Sequence, residues 1–441
     1  MKIGLLGSGG REHAIAEALK KESQRDRLFV FGNSSNLGIE RIADQYCIGN
    51  LTETPAIVSF FKLHSVDYVV IGPELPLTHG VADALRAENI PVLGPSKLQA
   101  QLEGSKTFMR HLMQEYVGWG SLRWREINST AEARRFIDEV DGQVVVKPIG
   151  LTGGKGVQVM GQHLHSVDEA LSLIDEIIRT DGTVLLEERM IGEEFSRIAL
   201  VSGNTFVPMP IAQDFKYAFE GDTGGMTGGM GSYTMQDGRL PFLSESDIEQ
   251  ADRLMAEVVS ALEKISGTPY RGFLYGQFIA GRHGVTIIEF NVRLGDPEAI
   301  NVMALFACDT ANVLYQAALG NLDAEAVSFE KRASLCKYLV PSGYPEKSQK
   351  DLIFHLDETK VVQAGFQIRF ASVERQSDST FRTLGSRTLA IVGKGENPSQ
   401  LSNALEGLLR EIEPPVLRHR QDIGSEETLT RKVDHVRRLR S

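Results

Sequence analysis

The chain has 441 residues, 42% hydrophobic and 24% charged, a globular composition that excludes a disordered, collagenous or fibrous protein and is long enough for two to four domains. Acidic residues number 58 against 47 basic ones, a formal net charge of −11, which argues against a broad nucleic-acid-binding surface but allows small anionic substrates held by a local cluster of cations. Three scattered cysteines, Cys47, Cys308 and Cys336, a Gly-broken N-terminus and no apolar run near the ~18 residues of a membrane span predict a cytoplasmic protein with free thiols and neither membrane nor nucleic acid as partner.

The first hundred residues alternate strand and helix. Residues 3–6 read as a buried strand, 12–21 as a helix and 28–31 as a second strand, and Thr54-Pro55 opens another helix. Residues 68–71 form a third strand, 81–88 a helix and 91–93 a fourth strand. Continuous apolar strands separated by helices predict a parallel sheet covered on both faces. From about residue 100 the pattern changes. Strands at 143–147 and 157–160 flank a Gly-rich loop, and Ser166-Val167-Asp168-Glu169 is a capping box. A strand at 184–188 precedes a hairpin over 196–210, turning at Gly203-Asn204. The Gly-rich stretch 221–231 leads to a long helix near 247–265, then a hairpin of 273–280 with 286–291. Antiparallel hairpins with segregated helices indicate an α+β arrangement. From about residue 326, strands are expected at 335–340, 367–370 and 388–392, and the basic helical tail Arg431 to Arg440 is expected to present a solvated face.

Gly7-Ser8-Gly9-Gly10-Arg11-Glu12 lies between a strand and a helix, where backbone N–H groups can hold an anion. It departs from the dinucleotide fingerprint at Glu12, and Phe31-Gly32-Asn33 lacks the acidic ribose partner, so hydride transfer is disfavoured. Lys147-Pro148 and the loop Gly150-Leu151-Thr152-Gly153-Gly154-Lys155-Gly156 do not make a P-loop, but two lysines coupled by glycines suit a flap over a nucleotide's phosphates. In Glu289-Phe290-Asn291-Val292-Arg293, strand alternation puts Glu289, Asn291 and Arg293 on one face: two oxygen ligands for a hard cation such as Mg²⁺, then a guanidinium for an anion. Gln277 on the partner strand fits a further ligand or a structural residue equally. Gly72-Pro73-Glu74 follows the third parallel strand, where open sheets bind ligands. Asp214 and Lys216 could hold an amine and a phosphate.

Together, Gly9-Gly10-Arg11-Glu12-His13-Ala14, Gly72-Pro73-Glu74-Leu75-Pro76-Leu77, Glu103-Gly104-Ser105-Lys106, Gly154-Lys155-Gly156, Gln213-Asp214, Gly221-Asp222-Thr223-Gly224, Thr227-Gly228-Gly229-Met230-Gly231 and the run from Glu289 to Glu298 resemble the phosphoribosylamine–glycine ligase family of ATP-grasp enzymes. The resemblance covers residues 1–310 in order. It implies an N-terminal parallel-sheet (pre-ATP-grasp) domain over 1–101, an ATP-grasp domain over 102–325 with a flap subdomain at about 120–188, and a small β-rich C-terminal domain over 326–441. The implied reaction joins glycine to 5-phosphoribosylamine with ATP and Mg²⁺ or Mn²⁺, by a monomer or weak homodimer. It further implies Lys106, Lys147 and Lys155 at the triphosphate, Glu187 and Met190 at the adenine, Glu194 at the ribose, and Gln277, Glu289 and Asn291 at the metal. Gly9, Gly10, Arg11, Glu12, Gly72, Pro73, Glu74, Asp214, Lys216, Arg293 and Asp296 would bind the other substrates, with Lys155, Asp214 and Arg293 catalytic. Another ATP-grasp ligase, a purine-pathway carboxylase and a nucleotide-sensing scaffold are the rival readings.

Overall fold

Five parallel strands lie in the order Gln45–Ile48, Arg27–Gly32, Lys2–Leu6, Tyr68–Ile71, Val92–Leu93 in the computed structural model, which describes residues 1–23, 25–149 and 156–441. The three central strands are almost wholly buried, as their unbroken apolar runs require. Strand order reverses between Lys2–Leu6 and Tyr68–Ile71, so the turns after these two strands face each other at the switch point where such sheets bind ligands. The sequence reading found four of the five strands. It missed Gln45–Ile48, a half-exposed edge strand of four residues, too short to show a pattern of its own.

A second, antiparallel sheet orders Trp124–Ile127, Val184–Glu188, Val144–Pro148 and Gln158–Val159. The helices Thr130–Glu139 and Val167–Asp181 cover it around a small core of its own, including Phe136, Ile137, Val146 and Ile174. Ser166 caps the second helix by accepting from the Glu169 N–H, but Glu169 returns its carboxylate to the His165 N–H rather than to Ser166.

The largest sheet has ten strands. Its main path runs Gly284–Asn291, Arg271–Gly281, Glu193–Ser202, Ala212–Asp214, Gly231–Thr234, Ala333–Pro341, Leu389–Gly395, Phe366–Phe370. Both expected hairpins are present, Glu193–Ser202 with Thr205–Pro208 and Arg271–Gly281 with Gly284–Asn291. The C-terminal strands continue this sheet, since Ala333–Pro341 pairs with Gly231–Thr234. They also share the hydrophobic core of the first 120 residues. A small separate sheet of Lys350–His355, Val373–Ser377 and Thr380–Leu384 was not foreseen.

The tail extends an expectation. Helix Glu426–Arg440 keeps a solvated face at Arg431, Arg437 and Arg438, but its other face is docked: Lys432 and His435 bind Glu193 at 2.7 and 2.6 Å, and Arg440 holds both oxygens of Asp247 at 2.8 and 2.9 Å. Its partners lie some two hundred residues away, so only the folded chain reveals them. The three cysteines are free, and among the described residues no helix is long and apolar enough to cross a membrane.

Candidate active site

Strand pairing brings the chemistry of three distant segments together. Gln277 sits opposite both Glu289 and Ser196, and Asn291 opposite Tyr275. Gln277 is fully buried and fully bonded. Its amide nitrogen donates to Glu194 at 2.9 Å and Asp214 at 3.3 Å, and its oxygen accepts from the Ser196 and Tyr275 hydroxyls. Each hydroxyl carries one proton and faces Glu298 as well, so Gln277 shares these two donors and is tied into the hydrogen-bond network of the site. Glu298 lies behind it, buried, and accepts from Ser196 at 2.7 Å and Tyr275 at 2.8 Å.

Electrostatics separate the carboxylates. Burial pushes Asp214 up to about 7, with Lys216 opposing and Glu298 and Glu194 adding to the rise. Burial also acts on Glu289, yet Lys216, Lys147, Arg293 and Lys106 together hold it below the ordinary carboxylate range. Glu289 is thus an ionised, half-buried oxygen donor beside four cations. Asn291 is its neighbour on the same face, and its amide oxygen accepts from Arg293 at 3.1 Å. Lys216 lies 3.2 Å from Glu194, and despite burial Glu194 and Asp214 raise it further.

On the facing sheet Lys147 is 2.5 Å from Glu187, which also accepts from Arg110 at 2.8 Å. Burial would raise Glu187, but the two cations bring it down to about 2. This carboxylate is therefore occupied as the counter-ion that holds Lys147 in place. Lys106 donates to the Pro148 carbonyl at 3.2 Å, and burial and Lys147 both lower its pKa. Met190 stands half-buried just beyond the Val184–Glu188 strand. Lys155, with most of the proposed flap, lies outside the described residues.

Arg293 bridges segments. It lies 2.8 Å from Glu103 and 3.3 Å from Glu74, and it donates to the Leu294 carbonyl. Burial raises Glu103 to about 7 against the pull of Arg293, whereas in Glu74 Arg293 and Arg11 outweigh burial and keep the group low. At the switch point the first Gly-rich turn is closed upon itself. Glu12 accepts from the Gly9 N–H at 2.6 Å and from Arg11 Nε at 2.6 Å, and Arg11 Nη1 donates to the Leu294 carbonyl at 3.1 Å. Gly72 packs against the same carboxylate so closely that a side chain there would collide with Glu12. Pro73 caps the short helix that begins at Glu74. Gly10 opens the helix Gly10–Lys20 against the Tyr338 hydroxyl.

Asp296 is also taken. Tyr338 donates to its Oδ1 at 2.8 Å and Arg387 to its Oδ2 at 2.9 Å. Sequence reasoning missed Glu103, Arg110, Glu298 and Arg387 as neighbours of this centre. Arg110 follows Lys106 by four residues on the helix Lys106–Leu112, and that spacing could have marked it. Glu103 and Glu298 stood inside quoted motifs without a role. Nothing near Arg387 signals its partner 91 residues away.

Family models match three consecutive segments: the N domain of phosphoribosylglycinamide synthetase at residues 1–103, its ATP-grasp (A) domain at 104–299 and its C domain at 334–426. The phosphoribosylamine–glycine ligase of Methanoregula boonei is 43% identical over 439 residues, and that of Thermococcus kodakarensis 39% over 440, each covering 100% of both chains. The crystal structure of phosphoribosylamine–glycine ligase from Thermotoga maritima is 29% identical and superposes with a TM-score of 0.77, covering 96% of this chain and 100% of that one. The biotin carboxylase domain of Hydrogenobacter thermophilus 2-oxoglutarate carboxylase, 15% identical at a TM-score of 0.69, shares the fold alone. With all three of its models matched in order and full-length relatives at about 40% identity, the chain belongs to the phosphoribosylglycinamide synthetase, or phosphoribosylamine–glycine ligase, family.

Proposed function

We propose that the protein joins glycine to 5-phosphoribosylamine at the expense of ATP, giving glycinamide ribonucleotide, ADP and phosphate through a glycyl phosphate. The observation that carries this reading is the convergence at one centre of an ionised Glu289, the lysines 106, 147 and 216, and an Asp214 raised to about 7. A glycine carboxylate oxygen attacks the γ-phosphorus as ADP leaves. The amine nitrogen then attacks the acyl carbon as phosphate leaves, and one amine proton must be accepted. Such phosphoryl transfer depends on positioning and on charge placed where the transition state needs it.

Lys106 and Lys147 serve the phosphates, with Lys155 assigned to them from its place in the sequence. Lys147 is held for that task by Glu187. The half-exposed Glu194, next to Lys216, suits ribose hydroxyls, and the segment from Glu188 to Met190 suits the adenine. Among the described residues no group of three or more His, Cys, Asp or Glu could hold a metal by itself. Glu289 and Asn291 would hold a divalent cation of the Mg²⁺ or Mn²⁺ type. Bound there, it would neutralise charge on the transferring phosphoryl group. Arg293 meets the glycine carboxylate or its phosphorylated form. Asp214, near neutral pKa, accepts the proton from the attacking amine. The ribose phosphate lies at the carboxyl end of the parallel sheet, between the turns that end at Glu12 and Glu74.

The test is ADP release by the purified chain with Mg²⁺ or Mn²⁺. Release that requires both glycine and phosphoribosylamine supports the reading. Release driven by bicarbonate with an imidazole ribonucleotide would replace it with a carboxylase.

A further inference from the structure

The turn from Leu294 to Glu298 is where three parts of the chain meet. Arg293 at its start is tied to Glu74 and Glu103, and Arg11 reaches its Leu294 carbonyl. Its other side is gripped from the C-terminal third. Arg387 Nη2 donates to Asp296 Oδ2 at 2.9 Å, and Nη1 donates to the Asp296 carbonyl at 3.0 Å. The same Nη1 donates to the carbonyls of Gly228 at 2.7 Å and Gly229 at 3.1 Å, in the second Gly-rich loop. The guanidinium stacks on the Tyr338 ring at 4.4 Å, and the Tyr338 hydroxyl takes the remaining Asp296 oxygen at 2.8 Å. Gly229 has φ +106, and a Cβ there would strike Pro297, so the loop and the turn are in direct contact under Arg387.

One planar, permanently charged fork thus fixes four oxygens from two segments that sequence separates by more than sixty residues. The loop side runs back to the site: Thr227 Oγ1 donates to the Lys216 carbonyl at 2.8 Å and accepts the Gly229 N–H at 3.0 Å. We infer that Arg387 is a positioning residue for the carboxylate substrate: by anchoring Asp296 and the Gly228–Gly229 carbonyls it sets where Arg293 presents its guanidinium. At the triphosphate end of the nucleotide site Lys147 is fixed independently, by Glu187, which Arg110 holds in turn. The inference rests on the glycine-ligase reading and adds to it a dependence of the glycine subsite on the C-terminal third.

The experiment measures KM for glycine, KM for ATP and melting temperature for wild type, Arg387→Ala, Arg387→Lys and Tyr338→Phe. Lysine keeps the charge but offers a point donor instead of a fork, so it should recover only part of the function. Arg387→Ala is expected to raise the glycine KM by about tenfold or more, the effect of losing charge-assisted hydrogen bonds, while the ATP KM moves less than twofold. Arg387→Lys should fall between, and Tyr338→Phe should show the same split at a few-fold. Should Arg387→Ala fail to fold, the Arg387→Lys and Tyr338→Phe ratios decide. Parallel changes in both KM values, or an unchanged glycine KM in these variants beside an active wild type, overturn this inference alone. A wild type without glycine-dependent ADP release overturns the functional reading and this inference with it.

Discussion

The turn after the first parallel strand and the end of the strand Gly284–Asn291 both set charged residues at the mouth of a sheet, and they treat those charges in opposite ways. In the turn, Glu12 accepts from the Gly9 N–H and from Arg11, and Arg11 donates onward to the Leu294 carbonyl. Donor and acceptor are matched inside the protein. At Glu289 the carboxylate is kept ionised by the field of Lys216, Lys147, Arg293 and Lys106, and it stays half-buried. The Glu12 carboxylate spends its charge on two donors of its own turn. A group stabilised by a field can exchange part of it for a ligand's charge. The first charge is neutralised within its own turn, and the second is left in the field of the surrounding cations.

The largest effect should come from the tightest closed cluster. Replacing Glu187 by Ala leaves Arg110 and Lys147 buried without their counter-ion, and breaking such a pair costs about 3–5 kcal/mol. The variant should melt well below wild type and lose activity as well, because Lys147 is no longer fixed. A melting curve that overlays wild type would show that solvent reaches this cluster. At the open centre, Glu289→Gln keeps the shape and removes the charge. Turnover should fall by about 10²- to 10³-fold, as when one electrostatic stabiliser is lost, with melting temperature hardly changed. A variant within about threefold of wild type at saturating metal would make Glu289 no more than another structural carboxylate.

A closed cluster in the C-terminal third supplies the pH control. His419 lies between Glu406 at 3.0 Å and Glu413 at 2.7 Å, and although burial opposes it, the two carboxylates raise it to about 9. A histidine whose pKa is higher folded than unfolded contributes stability that is complete below the unfolded value near 6.5 and is lost as pH rises through about 9. The expected contribution is of order 3 kcal/mol. The melting temperatures of wild type and His419→Gln should thus differ most near pH 6 and converge above pH 9. A gap independent of pH would mean that His419 is neutral in the fold.

The smallest effect separates the two regions most sharply. Arg11→Ala should cost about 1–3 kcal/mol of stability, the penalty for orphaning a buried hydrogen-bonding partner, and activity should fall only in step with it. A melting temperature at the wild-type value with a selective loss of phosphoribosylamine use would return Arg11 to the role of anion ligand and break the contrast.

How much of this was written in the sequence depends on how far each argument had to reach. Period-two alternation placed Glu289 and Asn291 on one face of a strand that ends at Asn291, two residues before Arg293, and unbroken apolar runs marked the buried parallel strands. The hairpin turning at Gly203-Asn204 was equally legible, because a turn is chosen by the residues in it. The half-exposed edge strand Gln45–Ile48 was not, since its burial is set by a neighbour and not by its own pattern.

By itself, then, the sequence determined the local elements, the order of the motifs and the chemical kinds of group available. Only the tertiary structure decided which of those groups remain available. It assigned both oxygens of Asp296 to Tyr338 and Arg387, the carboxylate of Glu187 to Arg110 and Lys147, and the basic tail to Glu193 and Asp247. The reason is physical. Backbone conformation is chosen over a few residues, whereas the state of a charge is fixed by burial and by whatever partner the fold brings within 3 or 4 Å of it, however distant in the chain.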